Sequence, residues 1–140
     1  MTDEMTEPEL RLSLAATPAN VAVARQAVTG RCEAAGVGGR ALGDVRLGVT
    51  EACTNVVVHA YSEDARERPL ELDAHVGEEE LEVVVRDRGR GMGVFTDSSG
   101  LGLGLPLIAA LTARMEVRAS SEGDGTEVAM AFALKRRDDG

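Results

Sequence analysis

The chain is poor in aromatic side chains, with one tyrosine, two phenylalanines and no tryptophan in 140 residues. Base-stacking platforms for single-stranded nucleic acid are therefore nearly excluded. The core has to be built from Val, Leu, Ala, Ile and Met. Only one lysine occurs, Lys135, and the 15 basic residues face 24 acidic ones, for a formal net charge of −9. That balance argues against generic DNA or RNA binding, which needs cations on phosphates, and against a polybasic membrane anchor. No run of about 18 apolar residues exists, so no membrane-spanning helix is expected. Met1–Arg11 is acidic and has no apolar block, unlike a secretory signal. The two cysteines, Cys32 and Cys53, lack C-x-x-C spacing and lie in apolar helical patterns, which reads as buried free thiols rather than a disulfide or metal site. These absences lead to the expectation of a cytoplasmic, soluble protein. What is present suits a globular unit: 44% of the residues are hydrophobic, and the length predicts one domain.

The hydrophobic pattern divides the chain into nine elements. Leu10, Leu12 and Leu14 alternate as a half-buried strand. Thr17-Pro18 opens a helix, with Thr as N-cap and Pro at the first position, running to about Ala35. After Gly36–Gly39, a second helix is expected from about Arg40 to Ala60, with Gly43 and Gly48 each weakening it by up to ~1 kcal/mol relative to Ala. Leu70–Val76 and Leu81–Arg86 read as a hairpin. Residues 87–104 are Gly-rich and aperiodic, and so long a loop in a small domain is usually functional. A short helix follows over Leu103–Thr112, then strands at Met115–Ala119 and Thr126–Leu134 around a tight turn. Interleaved strands and helices with hairpins predict an α+β two-layer sandwich, a mixed sheet with helices on one face. Residues 1–9 are expected to be a flexible acidic tail, 10–135 the single domain and 136–140 a charged tail.

Four constellations are candidates for chemistry. Glu51, Asn55 and His59 recur at i, i+4 and i+8, one stripe of the second helix. A carboxylate beside a carboxamide oxygen suits a hard cation such as Mg²⁺ or the positioning of a proton acceptor; otherwise the stripe faces solvent, or His59 caps the helix. Asp87-Arg88-Gly89-Arg90-Gly91 puts a carboxylate at a strand end, able to accept from a planar amine, with glycines that admit a flat ligand; its plain alternative is a solvated turn. Gly100–Pro106 leads glycines into a helix N-terminus, where free amides suit phosphate, yet it is neither a Rossmann fingerprint nor a Walker A loop. Gly123-Asp124-Gly125-Thr126 puts a hydroxyl near the Asp, or is an ordinary hairpin turn.

In this order the segments resemble the GHKL ATPase superfamily with its Bergerat ATP-binding fold. EACTNVVVHAY (51–61) looks like the N-box, DRGRG (87–91) the G1 box, GLGLGLPLI (100–108) the G2 box and GDGT (123–126) the closing Thr motif. The likeness covers Leu10–Leu134, and E-A-x-x-N-x-x-x-H-A-Y resembles the anti-sigma-factor serine/threonine kinases, the RsbW-like group. It implies that Asn55 holds Mg²⁺ bridging the ATP phosphates and that Glu51 is the general base. It implies that Asp87 binds the adenine amine, with Thr126 assisting through a water, and that Gly89 and Gly91 let the base slide in. Residues 92–104 would form a lid in which Gly102 and Gly104 offer amides to the phosphates, and Arg25 would reach the γ-phosphate.

The implied function is an ATP-dependent anti-sigma-factor kinase that sequesters a sigma factor and phosphorylates a small antagonist protein on Ser or Thr, with a homodimer expected. No histidine-bearing dimerisation helix precedes the domain, so a complete histidine kinase is not expected. Two competing readings share the fold: a nucleotide-sensing binding module without kinase activity, suggested by the short Met92–Ser99 lid and the missing phosphate lysine, and a scaffold that binds no nucleotide.

Overall fold

The computed structural model describes residues 8–89, 104–120 and 124–134. The elements run β1 (Leu10–Ala15), α1 (Pro18–Ala34), α2 (Gly39–Asn55), a π-helical turn (Val56–Ala60), β2 (Pro69–Val76), β3 (Glu80–Asp87), α3 (Gly104–Leu111), β4 (Arg114–Ala119) and β5 (Thr126–Ala133). Residues 1–7 of the expected acidic tail, the charged tail at 136–140, and Gly91, Gly102 and the lid before Gly104 lie outside the described residues. Glu9, grouped with the tail in the sequence reading, is tied to the domain: its N–H donates to the Ala74 carbonyl at 2.9 Å.

Helix α1 starts as its sequence dictates. The Thr17 hydroxyl accepts from the Asn20 N–H at 3.2 Å, and Asn20 Nδ2 donates back to the Ala15 carbonyl at 2.9 Å, fixing the β1–α1 corner. The chain leaves α1 through Gly36 at φ +89 and enters α2 through Gly39 at φ +61, left-handed values that favour glycine. Helix α2 buries Val45, Gly48, Val49, Ala52 and Cys53. Gly48 packs under the Phe132 ring of β5, which leaves no room for a Cβ.

The sheet order is β1-β2-β3-β5-β4. Every neighbouring pair is antiparallel, which corrects the expected mixed sheet. The two helices between β1 and β2 reverse the chain twice, so β2 returns against β1. The β3–α3–β4 crossover leaves β3 and β4 pointing the same way, but β5 inserts between them and no parallel pair forms. One face carries the register row Leu12, Leu72, Val85, Val128 and Val117. All three helices pack on that face, as alternation predicts. Fully buried Val28, Val45, Leu72, Leu81, Ile108 and Phe132 form the centre of the core.

The opposite face bears a charged row. Arg86 donates to Glu127 at 2.9 Å and to Asp73 at 3.3 Å, and Arg118 donates to the other Glu127 oxygen at 3.0 Å. Burial pushes the Glu127 carboxyl up, but the two guanidiniums outweigh it and hold it below the usual range. An open depression on this face, between Val84, Ala129, Arg114 and Arg118, is lined by none of the predicted site residues. Cys32 and Cys53 are buried and form no disulfide, as expected, and burial pushes the Cys53 thiol up to about 12. The Nδ1 of His75 lies 3.5 Å from the Glu9 carboxylate, close enough for an ion pair but without a hydrogen bond. Among the described residues no helix is long and apolar enough to cross a membrane.

Candidate functional site

The site grows from the C-terminal end of α2. Glu51 and Asn55 sit four residues apart on one stripe of that helix, both half-buried. At Asn55 the α-helix gives way to the π-helical turn. Its i→i+5 bonding puts more residues in each turn, and such turns are frequent at functional sites. His59 falls within this turn and not in the regular helix that carries Glu51 and Asn55.

Gly104, the first residue of α3, faces Asn55. A Cβ built on Gly104 would lie 3.1 Å from Asn55 Oδ1 and 3.2 Å from Nδ2. The carboxamide therefore sits beside a helix N-terminus, where unpaired N–H groups and the helix dipole favour an anion. On the other side of α2, Arg25 of α1 donates to the Thr50 hydroxyl at 3.4 Å, one residue before Glu51, and Thr50 donates to the Arg46 carbonyl at 2.7 Å. Arg25 thus reaches α2 at the level of Glu51.

The second half of the site is the end of β3. Asp87 is buried, at 7% exposure. Its Oδ1 accepts from the Gly89 N–H at 2.8 Å, and the Thr126 backbone N–H also donates to the carboxylate. Thr126 thus lies beside the Asp87 carboxylate through its main chain. Burial raises the Asp87 pKa above its ordinary value, and the two N–H donors only partly offset this. A buried carboxylate with lone pairs left to satisfy suits an amine donor from a ligand.

The glycines here serve the chain itself. A Cβ on Gly89 would meet the Ala60 carbonyl at 1.9 Å, and one on Gly125 would meet the Asp87 carbonyl at 2.0 Å. Packing of the β3 exit against the π-helical turn by itself requires glycine at 89. Gly125 is at φ +117 as well, so both its conformation and its packing require glycine.

The donor set bears on a metal. Among the described residues no three His, Cys, Asp or Glu side chains converge to hold an ion. One carboxamide oxygen beside a helix N-terminus fits Mg²⁺ that arrives on substrate phosphates, since Mg²⁺ keeps most of its ligands as water and phosphate oxygens.

With this geometry, comparison with known proteins is decisive. Residues 14–132 match the family model described as histidine kinase-like ATPase domain. The chain belongs to this family. It is 34% identical over 82 residues to the serine-protein kinase RsbW of Halalkalibacterium halodurans, covering 58% of this chain and 49% of that protein. It is 33% identical over 78 residues to the serine-protein kinase RsbW of Bacillus subtilis, covering 56% and 48%. The chain spans about half the length of these curated relatives. Its fold is shared by the crystal structure of the RsbU and RsbW domains of a Mycobacterium tuberculosis protein, with a TM-score of 0.70 over 94% of this chain and 33% of the other at 19% identity. The GHKL-type α+β arrangement expected from the motifs is thus the one this histidine kinase-like ATPase domain adopts.

Tyr61, the last residue of the N-box-like segment, has no role assigned from sequence. The Tyr61 hydroxyl donates to the Pro69 carbonyl at 2.6 Å and accepts from the Arg88 N–H at 2.9 Å. The available signal was its rarity: it is the sole tyrosine and falls just past a helix end.

Proposed function

We propose that this histidine kinase-like ATPase domain is an ATP-dependent serine/threonine kinase of the anti-sigma type, which sequesters a sigma factor and phosphorylates a small antagonist protein in the cytoplasm. The observation that carries the reading is the pairing of two subsites. Asn55 beside the α3 N-terminus suits phosphates, and the buried Asp87 suits an adenine amine. The named relatives, serine-protein kinases, support the choice of acceptor.

In this reading Asp87 accepts from the adenine amine, with the Gly89 and Thr126 N–H groups fixing its carboxylate. Gly104 and the first turn of α3 offer main-chain donors to the phosphates, and Asn55 supplies the protein's oxygen ligand to Mg²⁺. Mg²⁺, when bound, neutralises the phosphate oxygens. Glu51 takes the proton of the acceptor hydroxyl. The hydroxyl oxygen bonds to the γ-phosphorus while the bond to the β–γ bridging oxygen breaks, and ADP leaves with those electrons. Arg25 steadies the charge on the transferring group. Little covalent work falls to the protein, since phosphoryl transfer depends mainly on positioning and charge stabilisation.

The test is capture of partners from the native cell extract in MgATP, with mass spectrometry of the bound proteins. A sigma factor, together with a small protein that gains one phosphate on Ser or Thr, is expected. Partners retained without phosphate transfer would favour the nucleotide-sensing module, and a melting temperature unmoved by ATP or ADP would favour a scaffold that binds neither.

A further inference from the structure

Three separate stretches of chain meet at Tyr61. The residue follows the π-helical turn in extended conformation, at φ −124 and ψ 144. Its hydroxyl is used in both directions, donating to Pro69 at 2.6 Å and accepting from Arg88 at 2.9 Å. The Arg88 guanidinium donates to both oxygens of Glu71, Nε at 3.2 Å and Nη2 at 3.3 Å, two residues beyond Pro69. The Ala60 carbonyl, one residue before Tyr61, is the atom that forbids a side chain at Gly89. Residues 60–61, 69–71 and 87–89 are thereby latched together, with the phenol at the crossing point.

The latched amide is a particular one. The Arg88 N–H belongs to the peptide plane that also carries the Asp87 carbonyl, and that carbonyl packs against Gly125. The plane carries the chain on to the Gly89 N–H, which donates to Asp87 Oδ1 at 2.8 Å, so fixing the plane fixes the donor that orients the carboxylate. Burial raises the Tyr61 pKa above its ordinary value, so the phenol keeps the proton it donates to Pro69. On the other side Tyr61 connects through five residues of π-helix to Asn55.

We propose that Tyr61 is a positioning residue for nucleotide selection: its hydroxyl fixes the Asp87–Arg88 peptide so that the Asp87 carboxylate meets the amine of the base, in register with Asn55 on the same connected segment. The inference rests on the nucleotide-site reading above and adds the residue that sets base discrimination. Tyr61 touches neither base nor phosphate; it acts through the backbone of Arg88.

The test compares Tyr61→Phe with the wild-type chain by calorimetric titration, using MgATP and the Mg²⁺ complex of purine riboside triphosphate, which lacks the 6-amino group. The wild-type chain is expected to prefer ATP. Tyr61→Phe is expected to lose about fivefold in ATP affinity, the size of one net hydrogen bond, while affinity for the deaminated analogue changes less than about twofold on the same scale. An equal loss for both nucleotides means general loosening of the fold and overturns the proposal, as does an unchanged preference. If the wild-type chain binds neither nucleotide, the nucleotide-site reading fails and this proposal with it. A second measurement needs no variant. The Arg88 amide of the ligand-free wild-type chain is expected to exchange slowly with solvent deuterium although the residue is exposed; fast exchange there removes the latch.

Discussion

Asn55 and Gly104 are 49 positions apart in the chain, yet a single methyl group on Gly104 would press on both terminal atoms of the Asn55 side chain, at 3.1 and 3.2 Å. The end of α2 and the start of α3 are thus in contact at the point where a carboxamide oxygen and free helix amides converge. This contact joins a motif on a regular helix to one that sequence places in a glycine-rich loop.

Gly104→Ala tests that contact. The added Cβ requires Asn55 to move by a few tenths of an ångström. Stability should change by less than about 1 kcal/mol, because Ala is the better helix former. MgATP affinity should fall about threefold to tenfold, since small misplacements of positioning groups are costly. Titration of both proteins with MgATP checks this, and an unchanged affinity would mean that the Asn55 carboxamide is free to adjust.

Asp87→Asn separates the ligand role from the folding role. The folded-state pKa of Asp87 lies above its ordinary 3.8. The folded chain therefore holds this proton more tightly than the unfolded chain. Asp87 imposes no penalty below the ordinary value, and the penalty grows as pH rises through the raised one. Relative to Asp87→Asn, the wild-type chain should lose melting temperature as pH goes from 4 to 7. ATP affinity of the variant should fall about tenfold to a hundredfold, the range for a hydrogen bond to a charged group. Parallel melting curves across pH would reject the burial argument.

Much of this was legible in the residues. Alternation in Leu70–Val76 and Leu81–Arg86 marks strands because one face is buried and the other carries charge, and Thr17-Pro18 marks a helix start because both act locally. The π-helical turn was not legible: Val56–Ala60 continues the apolar face of the helix before it, and nothing in its composition marks a change of winding. The antiparallel sheet was missed for a similar reason, since where β5 inserts is a long-range choice. Glu51 and Asn55 stood out as polar groups on an apolar helix, Asp87 as a carboxylate at a strand end and Thr126 as a hydroxyl after a glycine turn. The contacts of Tyr61 were not legible, because its partners at Pro69 and Arg88 are main-chain atoms that carry no sequence signal.

Gly43 and Gly48 show the same limit quantitatively. On helix propensity alone they are equivalent. In the structure a Cβ on Gly43 meets nothing within 4 Å, whereas one on Gly48 would lie 2.7 Å from Phe132 Cζ. Gly43→Ala should stabilise the domain by about 0.5–1 kcal/mol. Gly48→Ala should destabilise it by about 1–3 kcal/mol, the usual cost of overpacking a core. Urea denaturation of both variants decides the matter, and equal midpoints would contradict the packing of α2 on β5.

Glu51 and Asn55 share a stripe of α2 but are assigned different tasks, so their variants should fail differently. Glu51→Gln keeps size and hydrogen-bonding capacity while removing the proposed proton acceptor. Phosphate transfer to the antagonist should drop by a factor of about 10²–10⁴, the usual contribution of a general base, with MgATP affinity nearly intact. Asn55→Ala removes the proposed oxygen ligand to the cation. Its loss should appear in binding, and chiefly in the part of nucleotide affinity that depends on Mg²⁺. Titrations with and without Mg²⁺, beside a transfer assay, distinguish the two. If Glu51→Gln loses nucleotide binding and transfer together, Glu51 is a binding group and the base must be sought elsewhere. If Asn55→Ala binds MgATP as tightly as the wild-type chain, the cation is held without it.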